Sequence, residues 1–316
     1  MFWTACGTLL IAVAAGGAVA PQTTMPDRVT VPLHVVGNRP FVDLTFNAPD
    51  GSKRSGRFWL DTGGGAFILS EALARDLGLE WGDLVQEEGR TFARVRTAPQ
   101  PFLDELPLEI QANRTLVVLG TDNILPESAP GHADGLIPGH VLARYHVVFD
   151  YPNRMFTLAK PGILQPEGDR MPMPVSEWMG FPCTVVEVDG ESYGFLLDTV
   201  ASYTMVSEAI LKAWGERHPD WSRHDGAVGD AVTLGGQALE TIFVPSARWG
   251  AHEIREFGVV SQREGVFEQF MSSLMAEPII GALGGNVLKE FRVELDYANQ
   301  AVYLSRPGEA GPQPTR

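Results

Sequence analysis

Two long stretches of this sequence occur twice, in the same order along the chain. The first stretch reads FWLDTGGGAFILSEALA at Phe58–Ala74 and FLLDTVASYTMVSEAIL at Phe195–Leu211. The second reads DGLIPGHVLARYHVVFDYPNRMFTL at Asp134–Leu158 and IGALGGNVLKEFRVELDYANQAVYL at Ile280–Leu304. Repetition of two stretches in one order indicates a duplicated folding unit, and this limits the possible architectures more than any other feature of the chain.

The duplication predicts two lobes, residues 25–161 and residues 162–306, that face each other about an approximate twofold axis. A tail, residues 307–316, follows the second lobe. The chain has 316 residues, of which 44% are hydrophobic. This is enough material for each lobe to bury a core of its own.

The repeated stretches also predict the class of fold. A short apolar run leads to Asp61 and another to Asp198, so each aspartate is expected at the end of a strand. Ser70 and Ser207 precede helix-forming residues and are predicted N-caps, and Gly78 is suited to end the first helix. The Asp-Tyr-x-Asn sequence near the end of each half predicts a hairpin turn between alternating strands. We therefore expect a mainly β protein with a few short helices.

Composition and motifs exclude several classes of function. The formal net charge is −15, and the sequence has no basic stripe of the kind that binds nucleic acid. The triple glycine at residues 63–65 lacks the Lys-Ser/Thr pair that completes a nucleotide-binding loop. His218 and His224 do not have the spacing of a known metal site. We expect no nucleic acid, no metal and no other cofactor.

The N-terminal residues 1–24 are predicted to be an export signal. Residues 8–20 are apolar, and Ala18-Val19-Ala20 has the small-x-small pattern of a cleavage site. The alternative is an uncleaved membrane anchor formed by residues 1–20. Cleavage would remove Cys6 and leave Cys183 without a partner for an internal disulfide. The expected location is therefore periplasmic or secreted, with membrane contact only through an uncleaved N-terminal segment.

The candidate catalytic residues lie in two Asp-Thr corners, Asp61-Thr62 and Asp198-Thr199, where a predicted strand ends in a turn. A single Asp-Thr at a strand end is usually a turn residue that caps backbone N–H groups. Two copies related by a twofold axis would bring Asp61 and Asp198 together, where two close carboxyl groups share one proton. Such a pair can take a proton from water and donate one to a carbonyl oxygen. Thr62 and Thr199 are expected to bond across to the opposite corner and hold the pair rigid.

The sequence resembles the pepsin and retropepsin superfamily of aspartic proteases in three features. These are the two Asp-Thr corners, the apolar pair that follows each corner, and the closing aromatic-x-Val-x-x-Asp-Tyr strands. The resemblance is strongest to single-chain, two-lobed bacterial proteins of the retropepsin type. It implies a two-lobed acid-protease-like fold and an aspartic-type endopeptidase that acts on a peptide or protein substrate. It also implies catalytic Asp61 and Asp198, supported by Thr62, Thr199 and Gly63. Because one chain supplies both aspartates, we expect a monomer.

The chain departs from the family pattern at the second corner, where Val200 replaces glycine. A β-branched residue is expected to resist a positive φ there and to crowd the carboxyl groups. The alternative function is therefore a catalytically inactive bilobal module that binds a peptide or protein. Ser202 supplies a hydroxyl in the second corner, whereas Gly65 supplies none in the first.

The family also closes a β-hairpin with an aromatic residue over its substrate. The sequence from residue 89 to residue 96 is a candidate for this flap, with Phe92 predicted at its tip. Loops within residues 79–106 and 214–249 are expected to form the walls of the substrate site, but they contain no recognisable specificity motif.

Overall fold

The computed structural model describes residues 25–87, 90–96, 100–110, 116–125, 129–226 and 240–308. Strands account for 47% of these described residues and helices for 13%. The prediction of a mainly β fold with few helices is therefore confirmed. The predicted export segment lies outside the described residues. No helix in the described part of the chain is both long enough and apolar enough to cross a bilayer.

The strands of the first half are short, and several alternate between buried and exposed side chains, as in a sheet with one solvated face. In chain order they are β1 (Arg28–Pro32), β2 (His34–Val36), β3 (Arg39–Asn47), β4 (Lys53–Asp61), β5 (Phe67–Ser70), β6 (Val85–Glu87), β7 (Arg90–Arg94), β8 (Pro101–Leu103), β9 (Leu106–Pro107), β10 (Leu116–Leu119), β11 (Gly135–Pro138), β12 (His146–Asp150) and β13 (Met155–Ala159).

The strands described in the second half are fewer but on average longer. They are β14 (Asp169–Pro172), β15 (Cys183–Val188), β16 (Glu191–Leu197), β17 (Thr204–Ser207), β18 (Arg223–Asp225), β19 (Glu240–Trp249), β20 (His252–Gln262), β21 (Gly281–Leu283), β22 (Arg292–Asp296) and β23 (Ala301–Ser305).

Short helices follow the strands. They are α1 (Glu71–Asp76), α2 (Gly139–Leu142), α3 (Glu208–Arg217) and α4 (Gly285–Leu288), with a π-helical turn at Val266–Met271 and a 3₁₀ turn at Ser272–Leu274. The predicted caps are confirmed: the Ser70 hydroxyl accepts the N–H of Leu73, and the Ser207 hydroxyl accepts the N–H of Ile210. Gly78 follows α1 with a φ of 62°, a conformation that glycine adopts without strain.

The predicted hairpin turns are also present, one between β12 and β13 and one between β22 and β23. Asp150 Oδ1 accepts the N–H of Asn153 at 3.1 Å, and Asp296 Oδ1 accepts the N–H of Asn299 at 3.1 Å. These two aspartates therefore cap turns, as short polar side chains at hairpin corners commonly do.

One sheet combines strands from both predicted halves. Its six strands lie in the order β1-β13-β12-β22-β23-β14, and β12 pairs antiparallel with β22 at its centre. Three of the strands come from residues 25–161 and three from residues 162–306. The buried side chains of Phe149, Val293 and Leu295 belong to the main hydrophobic core, so apolar packing supports the junction of the halves.

Each half also has a sheet of its own. The first runs β6-β7-β10-β5-β11-β4-β3-β8-β9, with β2 paired to β3. The second runs β15-β16-β21-β17-β20-β19-β18, and a further pairing of β15 with β19 closes it into a ring.

The strand pairings around the two aspartates are the same in both sheets. The strand that leads to the aspartate, β4 or β16, pairs in parallel with β11 or β21. That partner pairs antiparallel with β5 or β17, which follows the aspartate in sequence. β5 and β17 in turn pair in parallel with β10 and β20. The repeated sequence blocks therefore form equivalent strands with equivalent partners.

Candidate active site

Asp61 and Asp198 occupy equivalent positions in these arrangements. Asp61 is the last residue of β4, and Asp198 directly follows β16. The residues before them, Leu60 and Leu197, are buried and anchor the ends of the strands. The N–H of Asp198 also donates to the carbonyl of Leu283 on β21, at 3.1 Å. Both aspartates are therefore held by central strands rather than by free loops.

Two threonines bind the corners to each other. The Thr62 hydroxyl donates to the Leu197 carbonyl at 2.5 Å, and the Thr199 hydroxyl donates to the Leu60 carbonyl at 2.6 Å. Each hydroxyl also accepts the backbone N–H of the other threonine at 3.1 Å. Both threonines are almost completely buried. The crossed hydrogen bonds fix one corner against the other, which is the role that the duplication predicts for these residues.

Valine in place of Thr62 or Thr199 is expected to lower the free energy of unfolding by about 1–3 kcal/mol, because it leaves a buried N–H and a buried carbonyl unpaired. Losses in the double variant should not add, since both residues belong to one network. Urea denaturation measures the effect. Thr91→Val is the control, because Thr91 is exposed on β7 and should change stability by less than about 0.5 kcal/mol. Equal losses at positions 91 and 62 would contradict this account.

The carboxyl groups of the two aspartates lie close to each other. A Cβ atom placed on Gly63 would lie 3.2 Å from both Cγ and Oδ2 of Asp198, so the first corner closes directly on the second aspartate. The negative charge of Asp198 also raises the pKa of Asp61, as a like charge at short range does. The structure therefore brings together the two aspartates and two threonines singled out in the sequence.

Backbone N–H groups orient each carboxyl group. Asp61 Oδ1 accepts the N–H of Gly63 at 3.0 Å. Asp198 Oδ1 accepts the N–H groups of Val200 at 2.9 Å and of Ala201 at 3.2 Å. One oxygen of each aspartate is thus held by the turn that follows it, and these bonds favour the ionised form of the group.

Burial has the opposite effect on both aspartates. Burial, and next the charge of Asp198, raises the pKa of Asp61 well above its usual value of 3.8. Burial also raises the pKa of Asp198, against the opposing effects of the N–H groups of Val200 and Ala201 and of the Arg39 cation. Two carboxyl groups so close together do not ionise at the same pH, and the pair retains one proton where isolated aspartates are ionised. The site therefore contains an acid and a base side by side.

Val200 does not strain the second corner. The residue does not have a positive φ, and neither does Gly63 at the same place in the first corner. The predicted conflict between valine and a positive φ is therefore wrong, because the turn is made without a left-handed residue. The half-buried side chain packs against an apolar cluster of the first half, formed by Phe41, Trp59, Leu125, Ala129, Ala133 and Leu136.

The residues that follow make the two corners different. A Cβ atom on Gly64 would lie 2.2 Å from Oδ2 of Asp61. The matching residue of the second corner, Ala201, has a methyl group there and is buried. One position further on, Gly65 lies against the terminal methyl of Met179, whereas the Ser202 hydroxyl accepts a hydrogen bond from a guanidinium. The absence of a side chain at position 64 makes room for the Asp61 carboxyl group.

That guanidinium belongs to Arg39, which the sequence patterns did not identify as a site residue. Its Nη2 donates to Ser202 Oγ at 3.1 Å, and its Nε donates to the Val200 carbonyl at 3.3 Å. Arg39 is only 1% exposed. The available signal was an arginine directly before the apolar residues Pro40, Phe41 and Val42, since a charged residue that becomes buried beside such a run needs polar partners.

The flap candidate lies on a hairpin, but Phe92 is not at its tip. β6 and β7 pair antiparallel with Glu87 opposite Arg90, and residues 88–89 between them lie outside the described residues. Phe92 lies two positions into β7, opposite Val85 on one side and Leu119 on the other. The predicted tip position is wrong because the hairpin begins earlier than its glycine suggested.

His218 pairs with an aspartate and a tryptophan of the second half. His218 Nε2 lies 2.9 Å from Asp189 Oδ2, and its ring stacks on Trp221 with centroids 4.1 Å apart. Among the residues that the structure describes, no group of three or more His, Cys, Asp or Glu side chains is placed to hold a metal ion.

No protein-family model matches this chain, and no curated protein matches it.

Proposed function

We propose that this protein is an aspartic-type endopeptidase that hydrolyses peptide bonds with a water molecule activated between Asp61 and Asp198. One observation carries the proposal: crossed hydrogen bonds from Thr62 and Thr199 hold two aspartates, one buried and one half-buried, with their carboxyl groups close together. Raised pKa values at a buried like-charged pair oppose folding at neutral pH and favour a catalytic role over a structural one.

The proposed architecture is a two-lobed acid-protease-like fold with pseudo-twofold symmetry. Its support is that the strands around each aspartate make the same pairings in the same order. The sheet formed from both halves is consistent with lobes that meet along one shared layer.

The proposed reaction uses the pair as both acid and base. The ionised carboxylate takes a proton from the water, whose oxygen attacks the carbonyl carbon of the peptide bond. The protonated carboxyl group donates its proton to the carbonyl oxygen as negative charge develops there. When the tetrahedral intermediate breaks down, the carboxyl that took the first proton delivers it to the leaving nitrogen. No side chain forms a covalent bond to the substrate.

The proposed substrate is an extended segment of a peptide or protein. The hairpin of β6 and β7 ends the first sheet, so β6 offers an edge to which an extended chain can add as a strand. A cavity of about 560 Å³ has a mixed lining that includes the apolar Trp178, Met179 and Met275 and the polar Ser176, Glu177 and Ser273. Since Met179 also lies against Gly65, this cavity adjoins the first corner and has room for a side chain of the substrate.

We further propose that the protein acts as an exported monomer. The apolar segment at residues 8–20 supports export. The presence of both aspartates in one chain supports a monomer, since no second copy is needed to complete the pair.

The test is incubation with an unfolded protein between about pH 3 and pH 7, where a pair that shares one proton is active. Mass spectrometry of the products should show new peptide termini. Added hydroxylamine should yield no hydroxamate, because no acyl-enzyme forms. If this protein binds the unfolded substrate protein but does not cut it, the result would contradict the proposal and favour the non-catalytic binding module.

A further inference from the structure

Arg39 is a buried cation that reaches across to the second corner. It begins β3 in the first half, yet its guanidinium donates to Val200 O and to Ser202 Oγ. The guanidinium carbon also lies 5.5 Å from the centroid of the Trp59 ring. Burial of a cation costs free energy unless negative charge or hydrogen-bond acceptors compensate for it. The acceptors Val200 O and Ser202 Oγ both belong to the corner that carries Asp198.

One peptide group connects Arg39 with Asp198. The carbonyl oxygen of Val200 accepts the Arg39 Nε–H at 3.3 Å, and the N–H of the same peptide unit, that of Ala201, donates to Asp198 Oδ1 at 3.2 Å. A cation on the oxygen of an amide polarises the group and makes its N–H a stronger donor. The arrangement therefore stabilises negative charge on Asp198 through a hydrogen-bonded chain as well as through space.

The charges around the two aspartates also favour negative charge on Asp198. Among the described residues, the groups that interact electrostatically with Asp198 include Asp61, Arg39 and the buried phenol of Tyr151. Arg39 lowers the pKa of Asp198, whereas Asp198 raises the pKa values of Asp61 and Tyr151. Asp198 is also half-buried while Asp61 is 6% exposed, so ionisation of Asp61 costs more desolvation.

At the first corner, a phenylalanine stands at the position that matches this cation. The strands β3 and β15 have the same register against the aspartate-bearing strands, with Phe41 opposite Trp59 and Cys183 opposite Leu196. Trp59 and Leu196 each stand two residues before an aspartate. Phe181 is therefore the counterpart of Arg39, and it is an apolar, buried residue. The duplicated corners therefore differ in charge at this matching position.

We propose that Arg39 is a positioning residue that makes Asp198 the ionised member of the pair and leaves the shared proton on Asp61. This inference rests on the proposed function for its catalytic consequence. Asp198 then takes the proton of the attacking water, and Asp61 gives its proton to the carbonyl oxygen. On breakdown of the intermediate, Asp198 protonates the leaving nitrogen, and the hydroxyl that forms the new carboxyl group returns a proton to Asp61.

The first experiment measures the pH dependence of kcat/KM for Arg39→Gln, which keeps a donor for the Val200 carbonyl but removes the charge. The acidic limb, which reports formation of the shared anion, should move to higher pH by about one unit, equal to a tenfold change in the ionisation constant. Arg39→Lys restores the charge and should recover most of the shift. Arg57→Gln is the control, because Arg57 pairs with Asp43 on the surface of β4. An acidic limb that does not move in Arg39→Gln would overturn the proposal.

The second experiment needs no catalytic activity. Urea denaturation gives the unfolding equilibrium constants of wild type, Arg39→Gln, Asp198→Asn and the double variant, and of the corresponding set with Asp61→Asn. The coupling between two residues is the factor by which the unfolding constant of the double variant differs from the product of the two single-variant effects. For Arg39 and Asp198 this factor should be about tenfold near pH 7, and it should be larger than the factor for Arg39 and Asp61. It should disappear as the pH falls and Asp198 becomes protonated. Equal coupling to both aspartates, or none, would overturn the proposal. A chain that shows this coupling but cuts no peptide would support the charge assignment and refute only the peptidase function.

Discussion

Asparagine in place of Asp61 or of Asp198 is expected to reduce peptide hydrolysis by about 10²–10⁴-fold, the contribution typical of a positioned acid or base. An amide at position 61 cannot protonate the carbonyl oxygen, and an amide at position 198 cannot take a proton from water. The two variants should lose activity to a similar extent, because each removes one half of a unit. The measurement is the rate of new peptide termini from an unfolded protein. Equal cutting by wild type and both variants would place the activity elsewhere.

The stability of Asp61→Asn shows whether the loss is chemical. In the native protein Asp61 has a raised pKa, so the folded state binds more protons than the unfolded state. The stability contributed by protonated Asp61 is complete below the unfolded-state pKa and is lost as the pH rises through the higher folded-state pKa. Asparagine remains neutral throughout. The variant should therefore gain stability relative to wild type between about pH 4 and pH 7, as measured by urea denaturation. The opposite trend would contradict the raised pKa.

Alanine in place of Gly64 is expected to reduce hydrolysis by about 10²-fold, because displacement of a catalytic group by about 1 Å has an effect of this size. The new methyl group would lie 2.2 Å from Oδ2 and 2.6 Å from Cγ of Asp61, which is far inside van der Waals contact. The carboxyl group must move, since the backbone on which it stands is fixed by the threonine network. Rates of peptide release at saturating substrate measure the effect on kcat.

The neighbouring positions supply the controls. Gly65→Ala meets only the terminal methyl of Met179, at the end of a flexible side chain, and should change the rate by less than a few fold. Ala201→Gly removes the methyl group at the matching place of the second corner and should also leave most of the activity. A loss at Gly65 as large as that at Gly64 would show that any side chain in this turn is harmful, whatever its distance from Asp61.

Much of the fold follows from local chemistry that a sequence displays. Several elements depend on residues that are only a few positions apart in the chain. They are the strand that ends at Asp61, the caps at Ser70 and Ser207 and the turn at Asp150. Their patterns are therefore visible in one dimension. The duplication adds long-range information, because equivalent blocks form equivalent strands. This is why the pairing of Thr62 with Thr199 was open to prediction from a single chain.

The remaining features depend on three-dimensional register. The conformation of Val200 is set by how the second corner turns, and motif comparison alone implied a positive φ that the protein does not have. Phe92 misses the hairpin tip because strand register, rather than glycine position, decides where a turn falls. Arg39 reaches a corner more than 150 residues away in sequence, and no local pattern reports such a contact.

The sheet that contains strands of both halves has a consequence for biosynthesis. β12 leaves the ribosome long before its partner β22, whose residues lie near the end of the chain. Until then one edge of β12 has no native neighbour, and an open edge recruits strands from other nascent polypeptides. Translation that stops before β22 should therefore yield insoluble aggregates instead of an isolated half-molecule.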